Sequence, residues 1–185
     1  DYALTGCASQ YAQAHWQTAN RRKPLPLYVP EDCRTLKEAV TRVEQDHRIT
    51  TIVLGKGEHV VQVHKDKYER DRVENILEIT SVVNIVGRPD VPIEKIVVVG
   101  GILFKKGIPG NCHLQHLTLR GAKGTGVAGD GVCGYSSFTM EDVIVEQCKY
   151  DGVFADGFGV FGRCTNVEVR QCGLSGVCAE DGASI

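Results

Sequence analysis

The chain has 185 residues, which is enough for one domain with a sizeable hydrophobic core. Its 21 Lys and Arg residues nearly balance 23 Asp and Glu residues, and no long run carries one sign, which argues against a nucleic-acid partner. No stretch is long and apolar enough to span a membrane, and the first residues lack the basic start and apolar centre of a signal peptide. We therefore expect one soluble domain.

The first part of the chain predicts an extended arm followed by one short helix. Residues 1–30 show no hydrophobic period and end in "RRKPLPLYVP", where the prolines forbid a helix. Thr35 and Glu38 then have capping-box spacing, and an apolar stripe follows at Leu36, Ala39, Val40 and Val43. This pattern predicts an amphipathic helix over about 35–46.

Beyond the helix the pattern is typical of short strands. "TTIVLGKGEHVVQV" is rich in β-branched residues and broken by glycines, and "ILEI", "VVNIVG" and "KIVVVGGILF" follow it. Residues 64–74 between them have mixed charge and few apolar side chains, which favours a solvated loop. No further helical stripe is present.

The last part of the chain is an internal repeat. Three segments align, "LQHLTLRGAKGTGVAGDG" from Leu114, "MEDVIVEQCKYDGVFADG" from Met140 and "CTNVEVRQCGLSGVCAEDG" from Cys164, at steps of 26 and 24 residues. The predicted columns are Leu117/Val143/Val167, Leu119/Val145/Val169, Ala122/Cys148/Cys172, Gly126/Gly152/Gly176 and Val127/Val153/Val177, closed by Asp130-Gly131, Asp156-Gly157 and Asp181-Gly182. Short strands and glycine turns with this period indicate a stacked array, and a coil of a parallel β-helix fits better than a leucine-rich repeat or a propeller blade.

From about residue 35 to 185 the chain resembles the right-handed parallel β-helix proteins of the pectin-lyase-like superfamily, including their carbohydrate-binding and sugar-hydrolase repeats. The resemblance rests on the helix "TLKEAVTRV", the strands "TTIVLGKGEHVV" and "VNIVG", and the repeats. It implies an all-β fold, a right-handed parallel β-helix solenoid of about four or five coils with an N-terminal capping α-helix. The expected domains are an arm at 1–30 and a β-helix domain at 31–185, with coils over about 50–185.

Strand alternation predicts three outward columns of polar or charged side chains. They are His116/Asp142/Asn166 with Asn84 above them, Thr118/Ile144/Glu168, and the alternating ion ladder Arg120/Glu146/Arg170. The simplest interpretation of the ladder is a solvated sheet face. The functional interpretation, which the resemblance implies, is a groove for an acidic polysaccharide. In it His116, Arg120 and Arg170 supply basic groups, and Asp142, Glu146 and Glu168 supply oxygen ligands for calcium.

Several motifs that would define an enzyme or a cofactor site are missing. The resemblance to this superfamily would lead us to look for paired aspartates beside Gly-His-Gly, for Asp-Pro-His-Asp and for Arg-x-Pro-x-x-Arg, none of which occurs. "GTGVAG" matches a dinucleotide fingerprint but lacks the following helix, so we interpret it as a turn. His113 and His116 point to opposite faces of a strand, which disfavours a metal site. We therefore expect no cofactor and no metal, with calcium only if the chain is a lyase.

These observations favour a non-catalytic β-helix module that binds a glycan or a protein partner, as a subunit of a larger assembly. The alternative is a polysaccharide lyase, epimerase or hydrolase that acts on an acidic polysaccharide, with His116, Arg120, Asp142, Glu146 and Arg170 as catalytic candidates. The sequence stops at "GASI", part-way into a further coil, so we also expect a protein partner or a second copy at this uncapped coil.

The cysteines of the repeat are predicted to be small interior residues. Cys148 and Cys172 share a column with Ala122, and Cys164 shares one with Leu114 and Met140, so both columns are otherwise apolar. Parallel side chains in such a stack leave the Cβ atoms poorly placed for a disulfide, although the distance between stacked Cα atoms permits one. We expect free thiols at these positions.

Overall fold

The computed structural model describes residues 25–61, 64–65, 73–124 and 126–185. Most of the predicted arm, the centre of the predicted loop at 64–74, and Cys7 lie outside the described residues. Within these ranges no helix has the length and apolar character needed to cross a membrane.

The described residues form one α-helix, two 3-10 turns at Ile93–Lys95 and Gly126–Gly129, and a series of short strands. The helix is α1 (Leu36–Gln45), and the strands before the repeats are β1 (Leu25–Val29), β2 (Ile49–Leu54), β3 (Gly57–Val60), β4 (His64–Lys65), β5 (Val73–Glu74), β6 (Ile76–Ile79), β7 (Asn84–Gly87), β8 (Ile96–Val99) and β9 (Gly101–Phe104). The repeats contain β10 (Cys112–Arg120), β11 (Val132–Gly134), β12 (Phe138–Glu146), β13 (Val153–Asp156), β14 (Gly162–Arg170) and β15 (Val177–Glu180).

The predicted helix is confirmed as α1. Thr35 is its N-cap, and the Thr35 Oγ1 atom accepts a hydrogen bond from the Glu38 backbone N–H at 3.1 Å. The predicted apolar stripe is its buried face: Leu36, Ala39, Val40 and Val43. This face packs into the same hydrophobic core as the strands.

The extended backbone predicted before the helix is a strand of the main sheet. β1 pairs in parallel with β2, with Leu27 opposite Ile52 and Val29 opposite Leu54. Residues 25–29 therefore belong to the sheet and do not form a separate arm. At the predicted loop, β4 and β5 pair as a short antiparallel ladder.

The remaining strands form three parallel ladders. The first ladder contains β1, β2, β7 and the first halves of β10, β12 and β14, and the second contains β3, β8 and the second halves of β10, β12 and β14. The third ladder contains β6, β9, β11, β13 and β15. The chain is therefore mostly β, with parallel sheets and, in its described part, a single α-helix, which confirms the predicted class.

A sharp corner joins the first ladder to the second within β10, β12 and β14. The corner residues His116, Asp142 and Asn166 have φ angles of 55°, 52° and 51°, a left-handed conformation that Asp and Asn tolerate better than most residues. Asn84 does not lie above this column as predicted, because it pairs with His113. Gly87 takes that place, and a Cβ atom there would lie 1.9 Å from the His116 carbonyl oxygen.

The two interior columns of β10, β12 and β14 follow the prediction in the first two repeats. Leu117, Leu119, Val143 and Val145 are buried, whereas Val167 and Val169 are partly buried because β14 is the last strand of its ladders. The cysteines of the described part are free, which was predicted for Cys148, Cys164 and Cys172, and Cys148 is buried below Ala122. Cys164 is exposed and not interior, again because no strand packs beyond β14 in the described part of the chain.

The alignment of the first repeat was wrong by five residues. Val132, and not Val127, lies opposite Val153 in the third ladder. Gly131-Val132 therefore corresponds to Gly152-Val153, and Asp130 corresponds to Asp151. The segment 122–130 is longer than its counterparts, and its second Gly-Val pair enters the ladder because Val132 packs between Ile102 and Val153.

Candidate functional site

The predicted ion ladder on the second ladder is present. Arg120 Nε donates to Glu146 Oε1 at 2.5 Å, and Arg170 Nε donates to Glu146 Oε2 at 2.8 Å. Arg170 also pairs with Glu168 at 2.8 Å. The Glu146 side chain is only 6% exposed, whereas those of Arg120 and Arg170 are 35% and 43% exposed. Both oxygens of the Glu146 carboxylate are therefore held by guanidinium groups.

This geometry gives Glu146 a structural role. Burial alone would raise the pKa of the Glu146 carboxyl, but the hydrogen bonds from Arg120 and Arg170 outweigh burial and lower it. A carboxylate with both oxygens occupied and a lowered pKa is a poor general base and is not free to bind calcium.

The other predicted catalytic residues do not join this ladder in one site. His116 Nε2 bonds to the Val91 carbonyl at 2.8 Å, and Asp142 Oδ1 accepts from Asn166 Nδ2 at 2.5 Å. Thr118 lies between the His116/Asp142/Asn166 column and the ion ladder. It is buried and donates to the Ile93 carbonyl at 3.0 Å. The segment around the 3-10 turn at Ile93–Lys95 thus covers the face where a groove was expected.

A different set of side chains comes together at the start of the third-ladder strands. Asp130 and Asp151 precede β11 and β13, and the corrected register stacks them in neighbouring units. Asp130 Oδ1 accepts from the Asp151 backbone N–H at 3.1 Å, and Asp151 Oδ1 accepts from the Ser175 backbone N–H at 2.7 Å. Each aspartate therefore connects its own unit to the next.

These aspartates line a cavity of about 330 Å³, here called the acidic cleft. Its lining residues are Val127, Asp130, Tyr150, Asp151, Phe154 and Leu174. The Lys149 ammonium lies 4.9 Å from the centre of the Tyr150 ring and donates to the Gly124 carbonyl at 2.7 Å. The cleft thus combines two carboxylates with two aromatic rings.

The Asp130 carboxyl group in the cleft has a raised pKa. Burial raises its pKa to about 6, and the neighbouring Asp151 charge acts in the same direction, whereas the hydrogen bond from the Asp151 N–H opposes both. Carboxyl groups whose pKa lies near neutral pH can act as proton donors. They can also accept hydrogen bonds from a ligand's hydroxyl groups.

A second cavity, of about 420 Å³, lies at the other end of β13. It is lined by Lys106, Tyr135, Asp156, Gly157, Phe158, Val160 and Asp181. Between the cavities, Cys133 lies in the third ladder opposite Leu103 and Phe154. Burial raises the pKa of the Cys133 thiol to about 12, so it is not a reactive nucleophile.

The acidic cleft was missed at the sequence level because the first repeat was misaligned. The signal was present, since Asp-Gly-Val occurs at both 130–132 and 151–153. Among the described residues, no group of three or more His, Cys, Asp or Glu side chains is placed to hold a metal ion. Comparisons of the chain with protein-family models, with curated proteins and with solved structures gave no match.

Proposed function

We propose that the chain is a right-handed parallel β-helix module that binds a glycan in the acidic cleft without transforming it. The architecture is supported by the three parallel ladders, to which each repeat adds one strand. In this arrangement α1 caps the first coil, because its apolar face covers the core next to β2. The binding function rests on one observation, the pairing of aromatic rings and carboxylates in a single cavity.

The chemistry of the acidic cleft suits a sugar ring. Tyr150 and Phe154 offer apolar faces on which the C–H face of a sugar can pack, and aromatic rings contribute large contact areas. Asp151 lies beside them and can accept hydrogen bonds from hydroxyl groups, which are strong when the acceptor is charged. Concave sites with apolar walls and a few polar groups are the usual form of small-ligand sites.

The charge of the acidic cleft favours an uncharged sugar or an amino sugar. Asp130 and Asp151 both line it, and the nearby Lys149 ammonium already bonds to Gly124 and lies over Tyr150. A uronate carboxylate in this position would be repelled by Asp151. This preference differs from the acidic polysaccharide expected for an enzyme at the second ladder.

The test is a binding titration by calorimetry with neutral, amino-sugar and uronate oligosaccharides. In Asp151→Asn the remaining side-chain oxygen can still accept from Ser175, so we expect an intact fold and about tenfold weaker binding. Tyr150→Ala should weaken binding by a similar factor. Asp90→Asn and Phe158→Ala change an exposed carboxylate and an exposed ring outside the cleft and serve as matched controls. Absence of binding to every oligosaccharide would overturn the proposal.

A second candidate function is hydrolysis of a polysaccharide, and the raised pKa of Asp130 favours it. Glycosidases use two carboxyl groups, one of them a proton donor with a raised pKa, and Asp130, with a pKa of about 6, lies next to Asp151. Release of reducing ends by the wild type, lost in Asp130→Asn, would support hydrolysis. A lyase at the second ladder would instead release an ultraviolet-absorbing unsaturated uronate, and Arg120→Ala would abolish that signal.

We further propose that a protein partner or a second copy covers the last strands of the ladders. Support comes from exposed apolar side chains near β14 and β15, with Phe158 96%, Leu174 67% and Phe161 64% exposed. Among the described strands, β14 and β15 each have one edge without a neighbouring strand, and such edges favour strand pairing. Sedimentation at high micromolar concentration is the test, and a well-behaved monomer would contradict association.

A further inference from the structure

The outer face of the first ladder carries a cleft that the proposed glycan site does not use. It lies between the outward side chains of β10, β12 and β14 and has a volume of about 330 Å³. Its lining residues are His113, Thr139, Met140, Glu141, Arg163 and Thr165, and we call it the first-ladder cleft. In contrast to the acidic cleft, it is lined by cationic and hydroxyl side chains as well as one carboxylate.

The cation in this cleft has no acidic partner. Within the described residues Arg163 makes no ion pair, whereas pairs with carboxylates are made by Arg42, Arg48, Arg88, Arg120 and Arg170. Glu141 lines the same cleft, but its Oε2 atom is directed to Gln115 Nε2, at 3.4 Å, on the strand remote from Arg163. The guanidinium therefore retains its hydrogen-bond donors for a ligand.

Hydroxyl groups lie next to Arg163, and of these the Thr139 hydroxyl is already engaged, since it donates to the Cys112 carbonyl at 3.4 Å. Thr139 lies directly opposite Arg163 in the neighbouring strand, and Thr165 is two residues along β14. The Thr139 hydroxyl is fixed by His113 Nδ1 at 2.6 Å and by Asn111 Nδ2 at 3.2 Å. Adjacent strands are about 4.8 Å apart, so one small anion can contact both Arg163 on β14 and the neighbouring strand at Thr139.

We propose that the first-ladder cleft binds one oxyanion, a sulfate, phosphate or carboxylate group, on Arg163. The planar guanidinium donates two parallel hydrogen bonds to such groups, and hydroxyl groups such as that of Thr165 complete the shell. Glu141 opposes the bound charge and keeps the site weak. This inference does not depend on glycan binding in the acidic cleft, because the two clefts share no residue.

The experiment is an NMR titration of the full chain with sodium sulfate, sodium phosphate or sodium acetate at constant ionic strength. We expect saturable chemical-shift changes of the Arg163 Nε–H and of the Thr139 and Thr165 backbone amides. The anion that binds with the highest affinity identifies whether the natural ligand carries a sulfate, a phosphate or a carboxylate group. Arg163→Gln should weaken binding by about tenfold or more, since it removes the charged fork. Glu141→Gln should tighten binding severalfold, because it removes the opposing charge.

Arg34→Gln is the matched control, since Arg34 is also exposed and makes no ion pair in the described part of the chain. It should leave the titration unchanged, and unfolding curves should show that each variant remains folded. Shifts of equal size at Arg34 and Arg163, shifts that fail to saturate with all three anions, or binding unchanged in Arg163→Gln would each overturn the proposal.

Discussion

The Arg120/Glu146/Arg170 column and the Asp130/Asp151 column both stack charged side chains across neighbouring repeats. In the first the signs alternate, and Glu146 is held between two guanidinium groups. In the second the signs are the same, and Asp130 is buried next to Asp151 with its pKa raised to about 6. Both oxygens of Glu146 are paired with guanidinium groups, whereas the Asp130 carboxyl group accepts a hydrogen bond from a backbone N–H.

This difference is the reason why we propose ligand binding at the Asp130/Asp151 column. An alternating column gains stability from its own neighbours and has little left to offer a ligand. A column of like charges lowers the stability of the folded protein at neutral pH, and such a cost is typical of functional sites. Three of the residues first expected to be catalytic, Arg120, Glu146 and Arg170, lie in the alternating column, whereas the candidate site lies in the other.

The largest expected effect is on Glu146. Glu146→Gln removes the buried carboxylate that the two guanidinium groups share and leaves Arg170 paired with Glu168 alone, so we expect the free energy of unfolding to fall by about 2 to 3 kcal/mol. Urea denaturation at neutral pH measures this change. Glu168→Gln is the control, because the Glu168 side chain is 57% exposed and its pair with Arg170 contributes about 0 to 1 kcal/mol. Equal effects of the two substitutions would show that the Glu146 column is no more than a solvated surface.

The pH dependence of stability should separate the two columns. Asp130 has a folded pKa of about 6, above its ordinary value of 3.8. Its protonated form is therefore favoured by folding, and this contribution is complete below pH 3.8 and is lost as the pH rises through 6. Relative to Asp130→Asn, the wild type should lose about 1 to 2 kcal/mol of unfolding free energy between pH 4 and about pH 7.

Glu146 should show the opposite direction. Its pKa is lowered from 4.5, so its contribution is present above pH 4.5 and is lost as the pH falls through the folded pKa. Chemical denaturation at a series of pH values, on the wild type, Asp130→Asn and Glu146→Gln, measures both. Parallel pH profiles for the wild type and Asp130→Asn would contradict the buried state of Asp130.

The smallest expected effect is on Arg170. Arg170→Gln leaves Glu146 paired with Arg120 and removes only a partly exposed guanidinium, so we expect a loss of about 0.5 kcal/mol. Raising the salt concentration should reduce this difference further, because exposed pairs are screened. A loss as large as that of Glu146→Gln would show that both arginines are needed to hold the carboxylate.

The helix and the interior columns could be predicted from the sequence because both depend on local periodicity. Thr35 and Glu38 mark the start of α1, and alternation places Leu117 and Val143 inside. The segment that buries Thr118 could not be predicted, because it lies around Ile93, which is remote from Thr118 in sequence. Alternation gives the direction of a side chain, and it does not reveal what another segment places above it.

Prediction of the acidic cleft depended on the register chosen for the first repeat. Two Gly-Val pairs, at 126–127 and 131–132, compete for the same position in the first repeat. Constant spacing favours the first pair, whereas packing of Val132 against Ile102 and Val153 requires the second. This local register error hid the Asp130 and Asp151 pair, because period alone does not decide between the two Gly-Val pairs.

The corner at His116, Asp142 and Asn166 has a consequence for redesign of the chain. One left-handed residue makes the entire turn between two ladders, so an added residue there would reverse the facing of every side chain in the following half-strand. The connection between the second and third ladders already differs in length, since 121–131 is longer than 147–152. Peptide tags and grafted loops therefore belong in this connection ahead of the cleft residues Val127 and Asp130, because its greater length leaves the register of β11 and β13 intact.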